Sequence, residues 1–360
     1  MGELRLMKGN EAIAEAAIRA GCDGYFGYPI TPQSEVMEYL MVERPYETTG
    51  MVVLQAESEV AAINMLYGGA GTGKMVMTSS SSPGISLMQE GISYMAGAEL
   101  PALIVNIVRG GPGLGTIQPS QADYFQAVKG GGHGDYHMIV YAPASVQEMA
   151  DFVQIGFDAA FKYRTPVMIL SDGAIGQMME KVSLADPVPR LTDEEVIARC
   201  PWASNGRPMS RQHNIITSLD LDPAGQERLN LVLQAKYNVI EEQEVLFETI
   251  DCEDADYILV AFGLSARICQ KAMQLARQKG IKVGLFRPIT LFPFPKKEIR
   301  EVAQKVKGML VVEMNAGQMI EDVQLSVGCN IPIKHYGRFG GIIPTPDEVV
   351  KALEEIIIGG

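Results

Sequence analysis

Short, continuously apolar runs alternate with helix-spaced stretches along residues 1–182, and few folds satisfy that rhythm. The runs predict strands at 24–28, 51–55, 74–78, 101–108, 138–141 and 166–170. Between them, apolar spacing predicts helices at 10–20, 33–42, 57–67, 83–96, 121–128 and 145–163. Asn10 reads as the N-cap of the first helix, and Pro32 as part of the first turn of the second. A strand that is apolar throughout must be covered on both faces, and helical connections make the sheet parallel. Ligands of such sheets sit beyond the carboxyl ends of the strands. The turn 27–32, Glu57, the serine run 79–82 and Arg109 all follow predicted strand ends. The topology therefore gathers them on one edge, far apart as they are in sequence.

Residues 183–250 break the rhythm. Pro187, Pro189, Pro201, Pro208 and Pro223 fall here, with Trp202 and a basic cluster at Arg207, Arg211 and His213. The stretch reads as a connecting excursion, with a helix expected at 226–248. A second α/β unit occupies 251–360, with strands expected at 257–262, 282–287 and 309–314 and helices at 265–279, 296–306, 318–326 and 346–358.

Several function classes are disfavoured. The net charge of −13 leaves no basic face for sequence-independent nucleic-acid binding. Cys22, Cys200, Cys252, Cys269 and Cys329 are scattered with no CxxC, so a zinc ribbon or a self-held iron–sulfur cluster is not expected. His133 and His137 lack an acidic or thiol partner at ligand spacing. The Gly68 to Lys74 run imitates a phosphate loop, but Met75 replaces the magnesium-binding hydroxyl, and the run joins a helix to a strand rather than the reverse. The glycines at 111, 113 and 115 enclose Pro112 and do not form a dinucleotide turn. No apolar run reaches the ~20 residues of a membrane span, and the first residues lack the order of a signal peptide. A cytoplasmic location is expected.

Three side chains stand out. Glu57 follows an apolar strand and has small apolar neighbours, so its carboxylate reads either as a sheltered acid with a raised pKa or as a helix N-terminal glutamate favoured by the dipole. Glu59 is expected at solvent or at a subunit boundary. Thr31 sits between Pro29-Ile30 and Pro32, which presents its hydroxyl rigidly, for a substrate oxygen, for helix capping, or for both. Arg109 ends an apolar strand and enters the glycine-rich loop 110–115, where it is either a carboxylate clamp or a surface arginine.

Gly9-Asn10-Glu11-Ala12, Tyr28-Pro29-Ile30-Thr31-Pro32, Gln55-Ala56-Glu57 and Arg109-Gly110-Gly111-Pro112 occur in the order seen in 2-oxoacid:ferredoxin oxidoreductase alpha subunits, and nearly the whole chain resembles them. The segment 115–123 is most similar to the branched-chain (2-oxoisovalerate) type, with the 2-oxoglutarate type next. The resemblance implies a thiamine diphosphate pyrimidine-binding-like α/β domain followed by a transketolase C-terminal-like α/β domain. It implies that Glu57 bonds the aminopyrimidine and so favours the ylide, with Pro29 and Ile30 also at the cofactor. Thr31 and Arg109 would hold the substrate. Ser171-Asp172-Gly173 only echoes the diphosphate and magnesium motif of thiamine enzymes and reads as a strand end. The resemblance accordingly assigns the diphosphate, Mg2+ and [4Fe-4S] clusters to a beta subunit, with gamma and ferredoxin-like delta subunits completing the assembly. The implied reaction converts a 2-oxoacid and coenzyme A to acyl-CoA, carbon dioxide and reduced ferredoxin. Arg207 and Arg211 are candidate coenzyme A contacts on charge alone. A non-redox split thiamine enzyme, a nucleotide-binding module and a purely structural subunit are the alternatives.

Overall fold

The computed structural model describes residues 3–207, 209, 212–328 and 330–359; Pro208, Arg211 and Cys329, named above, lie outside them. Seven strands form the first sheet, in the order Thr290–Phe292, Ile139–Tyr141, Pro166–Asp172, Ala102–Val108, Val76–Ser80, Gly24–Gly27, Val52–Gln55. All pair in parallel except Thr290–Phe292, which runs antiparallel to Ile139–Tyr141. Ala102–Val108 and Pro166–Asp172 are buried along their whole length, as continuously apolar strands should be. Helices Gly9–Arg19, Glu59–Gly71, Ser82–Gly97 and Val146–Tyr163 supply the layers above and below.

The second sheet runs Ile333–Gly337, Gly308–Glu313, Tyr257–Val260, Val283–Pro288, Phe247–Ile250, with only the last strand antiparallel. The chain is thus α/β with two parallel-rich sheets. A small antiparallel ribbon, Glu3–Lys8 with Met179–Leu184, completes it.

Local signals explain where several expectations shift. The first helix begins at Gly9, where the Glu11 carboxylate accepts from Lys8 N at 3.0 Å, so Asn10 lies inside it and is no cap. The second begins at Ser34, which leaves Pro32 in the preceding turn. The helix expected at 226–248 spans Pro223–Gln243, because Asp222 caps it and Pro223 opens it. Its expected end is instead the edge strand Phe247–Ile250. The short helix Asp193–Arg199 and the strands Glu3–Lys8, Thr290–Phe292 and Ile333–Gly337 were not anticipated. Cys22, Cys200, Cys252 and Cys269 are free thiols. Among the described residues no helix is long and apolar enough to cross a membrane.

Candidate active site

The turn after Gly24–Gly27 is held from below by buried amides. Gln33 donates to the Tyr28 carbonyl (3.0 Å) and accepts from the Ser79 hydroxyl (2.6 Å), which in turn meets the Tyr25 hydroxyl (2.8 Å). Burial pushes the Tyr25 phenol up to about 12, so it stays protonated. Asn10 Nδ2 and Gln177 Nε2 donate to the Pro32 carbonyl at 2.7 and 3.3 Å, and both also bond Glu35. Pro29 and Thr31 are exposed at the tip and Ile30 is half-buried. Gln33, not Thr31, occupies the capping position of the next helix, so capping does not engage the threonine hydroxyl.

Arg109 reaches this turn from the end of Ala102–Val108, two strands away across Val76–Ser80. Its Nη1 donates to the Thr31 carbonyl (2.9 Å) and its Nη2 to the Leu114 carbonyl (3.0 Å). Each terminal nitrogen keeps a second proton, and Nε is buried without a partner. The guanidinium therefore ties the threonine turn to the glycine-rich loop and retains donors for an anion. Ser82 fixes its backbone, accepting from Arg109 N at 3.1 Å. Asn106, a polar residue in the middle of the buried strand, accepts from Ser82 N (3.2 Å) and donates to Asp123 (2.9 Å). Burial lifts the Asp123 carboxyl, against the bonds from Asn106 and Ser82. The sequence reading missed this Asp123–Asn106–Ser82 chain; its one signal was an asparagine inside an otherwise apolar strand.

The two glutamates exchange the environments expected for them. Ser58 caps the helix, accepting from Ala61 N, so the helix is Glu59–Gly71 and Glu57 lies in the extended link before it. Glu57 is exposed in this chain, with the Ser58 hydroxyl donating to it at 3.1 Å, which corrects the sheltered position expected of it. Glu59 is only 7% exposed, not solvent-facing. It lies against the backbone of Gly84, where an added Cβ would stand 2.7 Å from Glu59 Oε1 and 2.1 Å from Ser80 Oγ. Glu59 makes no hydrogen bond among the described residues, and the buried hydroxyls of Ser80 and Ser81 have no partner either. A largely buried carboxylate without a hydrogen bond, close to the unpaired Ser80 hydroxyl, stands ready for a partner from outside the chain. These acceptors fit a heterocycle that offers N–H groups.

A cavity of about 430 Å³ opens beside Arg109, between the first sheet and the second unit. Ser82, Arg109 and Asp123 line its polar side. Gln121 stitches the units together beneath it: its side chain accepts from the Ser265 hydroxyl (2.7 Å) and Met314 N (3.0 Å) and donates to the Phe262 carbonyl (2.9 Å). Glu313 ends its strand fully buried and accepts from Asn315 and from the backbone N–H groups of Gln318, Met319 and Ile320, which sets residues 315–318 on the cavity wall. Burial raises its carboxyl despite those bonds.

The decoy motifs resolve as ordinary structure. Residues 68–74 run from helix to strand, and Lys74 pairs with Asp193 at 2.7 Å. His137 stacks on Phe292 with ring centroids 4.2 Å apart, and burial lowers its pKa. Asp172 ends its strand and caps helix Gly173–Gln177, and burial raises its carboxyl to about 6. Arg207 meets His213 at 3.3 Å, in the excursion and not at the cavity. No group of three or more His, Cys, Asp or Glu that could hold a metal ion occurs among the described residues.

Comparison with known proteins places these features in a family context. Residues 15–222 match the family described as pyruvate flavodoxin/ferredoxin oxidoreductase, thiamine diphosphate-binding, and residues 255–349 match pyruvate:ferredoxin oxidoreductase core domain II. The chain is 48% identical to the ketoisovalerate oxidoreductase subunit VorB of Methanothermobacter marburgensis, over 98% of this chain and 97% of that one. It is 37% identical to the 2-oxoglutarate synthase subunit KorA of Archaeoglobus fulgidus, over 98% and 99% of the two chains. Among solved structures, the 2-oxoglutarate:ferredoxin oxidoreductase of Magnetococcus marinus, with 2-oxoglutarate, coenzyme A and succinyl-CoA bound, aligns with TM-score 0.86 at 28% identity. The alignment covers 99% of this chain, which spans 66% of that one. A split-gene transketolase, an inactive beta4 tetramer, aligns with TM-score 0.61 at 14% identity over 98% of both chains, a likeness of fold.

Proposed function

This chain belongs to the 2-oxoacid:ferredoxin oxidoreductase family, and from that premise we propose that it is the alpha subunit of a branched-chain (2-oxoisovalerate) type enzyme that yields acyl-CoA, carbon dioxide and reduced ferredoxin. Its units are taken as 1–182, the pyrimidine-binding-like domain, 183–250, the excursion, and 251–360, the transketolase C-terminal-like domain. A beta subunit would bring the diphosphate, Mg2+ and [4Fe-4S] clusters, with gamma and ferredoxin-like delta subunits, in the cytoplasm. Bound thiamine diphosphate supplies the carbanion chemistry that decarboxylation needs.

The observation that carries the reading is the unpaired, shielded carboxylate at the carboxyl edge of a parallel sheet. Of the two candidates, Glu59 has the burial that the role asks of a proton-sharing acid, whereas Glu57 keeps water. We therefore assign the pyrimidine contact to Glu59 and leave Glu57 at the rim, with Pro29 and Ile30 beside the cofactor edge. Arg109 would hold the 2-oxoacid carboxylate with the donors left free by its two carbonyl bonds, and the exposed Thr31 hydroxyl would meet the keto oxygen. Among the described residues the cavity has one cation on its wall, Arg109, which suits a substrate with a single carboxylate.

The test is viologen reduction by the complex assembled with its partner subunits, across a panel of 2-oxoacids. Glu59→Gln should lower the rate about 10³-fold and Glu57→Gln less than about tenfold. The reverse pattern returns the pyrimidine contact to Glu57. An iron-containing complex that fails to reduce the dye with every 2-oxoacid of the panel refutes the function.

A further inference from the structure

The cavity beside Arg109 extends beyond what holding a carboxylate requires, and part of its lining is apolar: Pro83, Pro112, Met314 and Phe339. Met314 is 1% exposed and immobilised, since Gln121 bonds both its N–H and its carbonyl. Phe339 differs. It sits on the loop between strand Ile333–Gly337 and helix Pro346–Ala352, with 60% of its surface open. A phenyl ring left this open at a cavity gains only part of the stabilisation that full burial would give.

The position of that ring is nevertheless tied to Arg109. The next residues, Gly340 and Gly341, meet the arginine loop backbone to backbone. A Cβ on Gly110 would lie 3.0 Å from both Gly340 C and Gly341 N, and one on Gly341 would lie 2.4 Å from Gln118 Cβ. Gly340 and Gly341 have φ of +63° and +98°, which a side chain would oppose. The loop of the second unit is thus seated directly on the loop that carries the anion-binding guanidinium.

We propose that Phe339 is a specificity-determining residue, forming the outer wall against which the acyl side chain of the 2-oxoacid packs while its carboxylate lies at Arg109. This rests on the functional reading above and adds that the second α/β unit selects the substrate. Apolar walls discriminate by size: one methylene too many or too few changes kcat/KM by about 10- to 200-fold. An acyl side chain packed here would meet the apolar surfaces of Met314 and Phe339, and the size of the side chain at 339 would set the room left for it.

The experiment compares Phe339→Ala and Phe339→Trp in the fully assembled complex, reading kcat/KM for 2-oxoisovalerate and for phenylpyruvate. The alanine variant should raise the phenylpyruvate to 2-oxoisovalerate ratio about tenfold or more, and the tryptophan variant should lower it. Both substitutions are on an exposed side chain, so unchanged melting and an unchanged KM for coenzyme A are expected alongside. A ratio within about twofold of the parent in both variants overturns the proposal while leaving the 2-oxoacid reading intact. A parent complex inactive with every 2-oxoacid overturns both.

Discussion

Gly84→Ala moves the Glu59 carboxylate without touching its charge. The added methyl would arrive 2.7 Å from Glu59 Oε1 and 2.1 Å from Ser80 Oγ, so both side chains must yield. Ser80 can rotate its unpaired hydroxyl away; Glu59 must withdraw by about 0.7 Å to restore an ordinary 3.4 Å contact. Two displaced rotamers cost about 1 kcal/mol each. Against this, alanine gains about 0.8–1 kcal/mol over glycine inside a helix, and position 84 lies in the first turns of Ser82–Gly97. The net loss of stability is therefore about 1 kcal/mol, a few degrees of melting temperature at most for a domain of this size. Activity should respond far more, because misplacing a catalytic group by about 1 Å can cost 10²-fold. The assay is viologen reduction by the assembled complex beside thermal unfolding of the isolated chain. A variant that melts like the parent and also turns over within threefold of it would refute the placement of Glu59 at the pyrimidine, since the acid would then tolerate a shift that proton sharing does not.

Two further outcomes follow from buried groups. The Asp172 carboxyl, raised by burial to about 6 from 3.8, binds its proton more tightly folded than unfolded, so it disfavours folding increasingly as pH rises from about 4 to 6. Asp172→Asn keeps an oxygen for the Ala174 and Ile175 N–H groups and should be more stable than the parent by ~2–3 kcal/mol at pH 7.5, with the advantage shrinking at pH 4 in urea titrations. Gln121→Ala strands Ser265 Oγ, Met314 N and the Phe262 carbonyl at the seam between the units and should cost about 3 kcal/mol or more, read as an earlier urea midpoint; a midpoint shift under 0.5 kcal/mol equivalent would show the seam is held elsewhere.

Legibility varied with the kind of signal. The strands Ala102–Val108 and Pro166–Asp172 were readable because burial on both faces makes them predominantly apolar, with Asn106 the one polar residue inside the first and Ser171-Asp172 closing the second. The gathering of the threonine turn with Arg109 followed from parallel topology, and the 2.9 Å bond between Arg109 and the Thr31 carbonyl is that topology in atomic detail. The short edge strands Glu3–Lys8, Phe247–Ile250 and Ile333–Gly337 escaped because one or both faces meet water and their composition is mixed. The exchange between Glu57 and Glu59 turned on a two-residue shift of a helix start. Ser58 is a capping residue in plain view, and giving it that role would have placed Glu59 in the first turn. Gln121 acts across units separated by more than a hundred residues, where local pattern carries no information.

The antiparallel strand Thr290–Phe292 has a temporal consequence. Synthesis proceeds from the N-terminus, so Ile139–Tyr141 emerges well before the segment that pairs with its outer side. Throughout that interval the nascent chain presents an unpaired row of amide and carbonyl groups to its surroundings, an invitation to pairing with a neighbouring polypeptide. A fragment ending before residue 290 would keep that vulnerability permanently, whatever the quality of its interior, and the late arrival of three residues is what ends it.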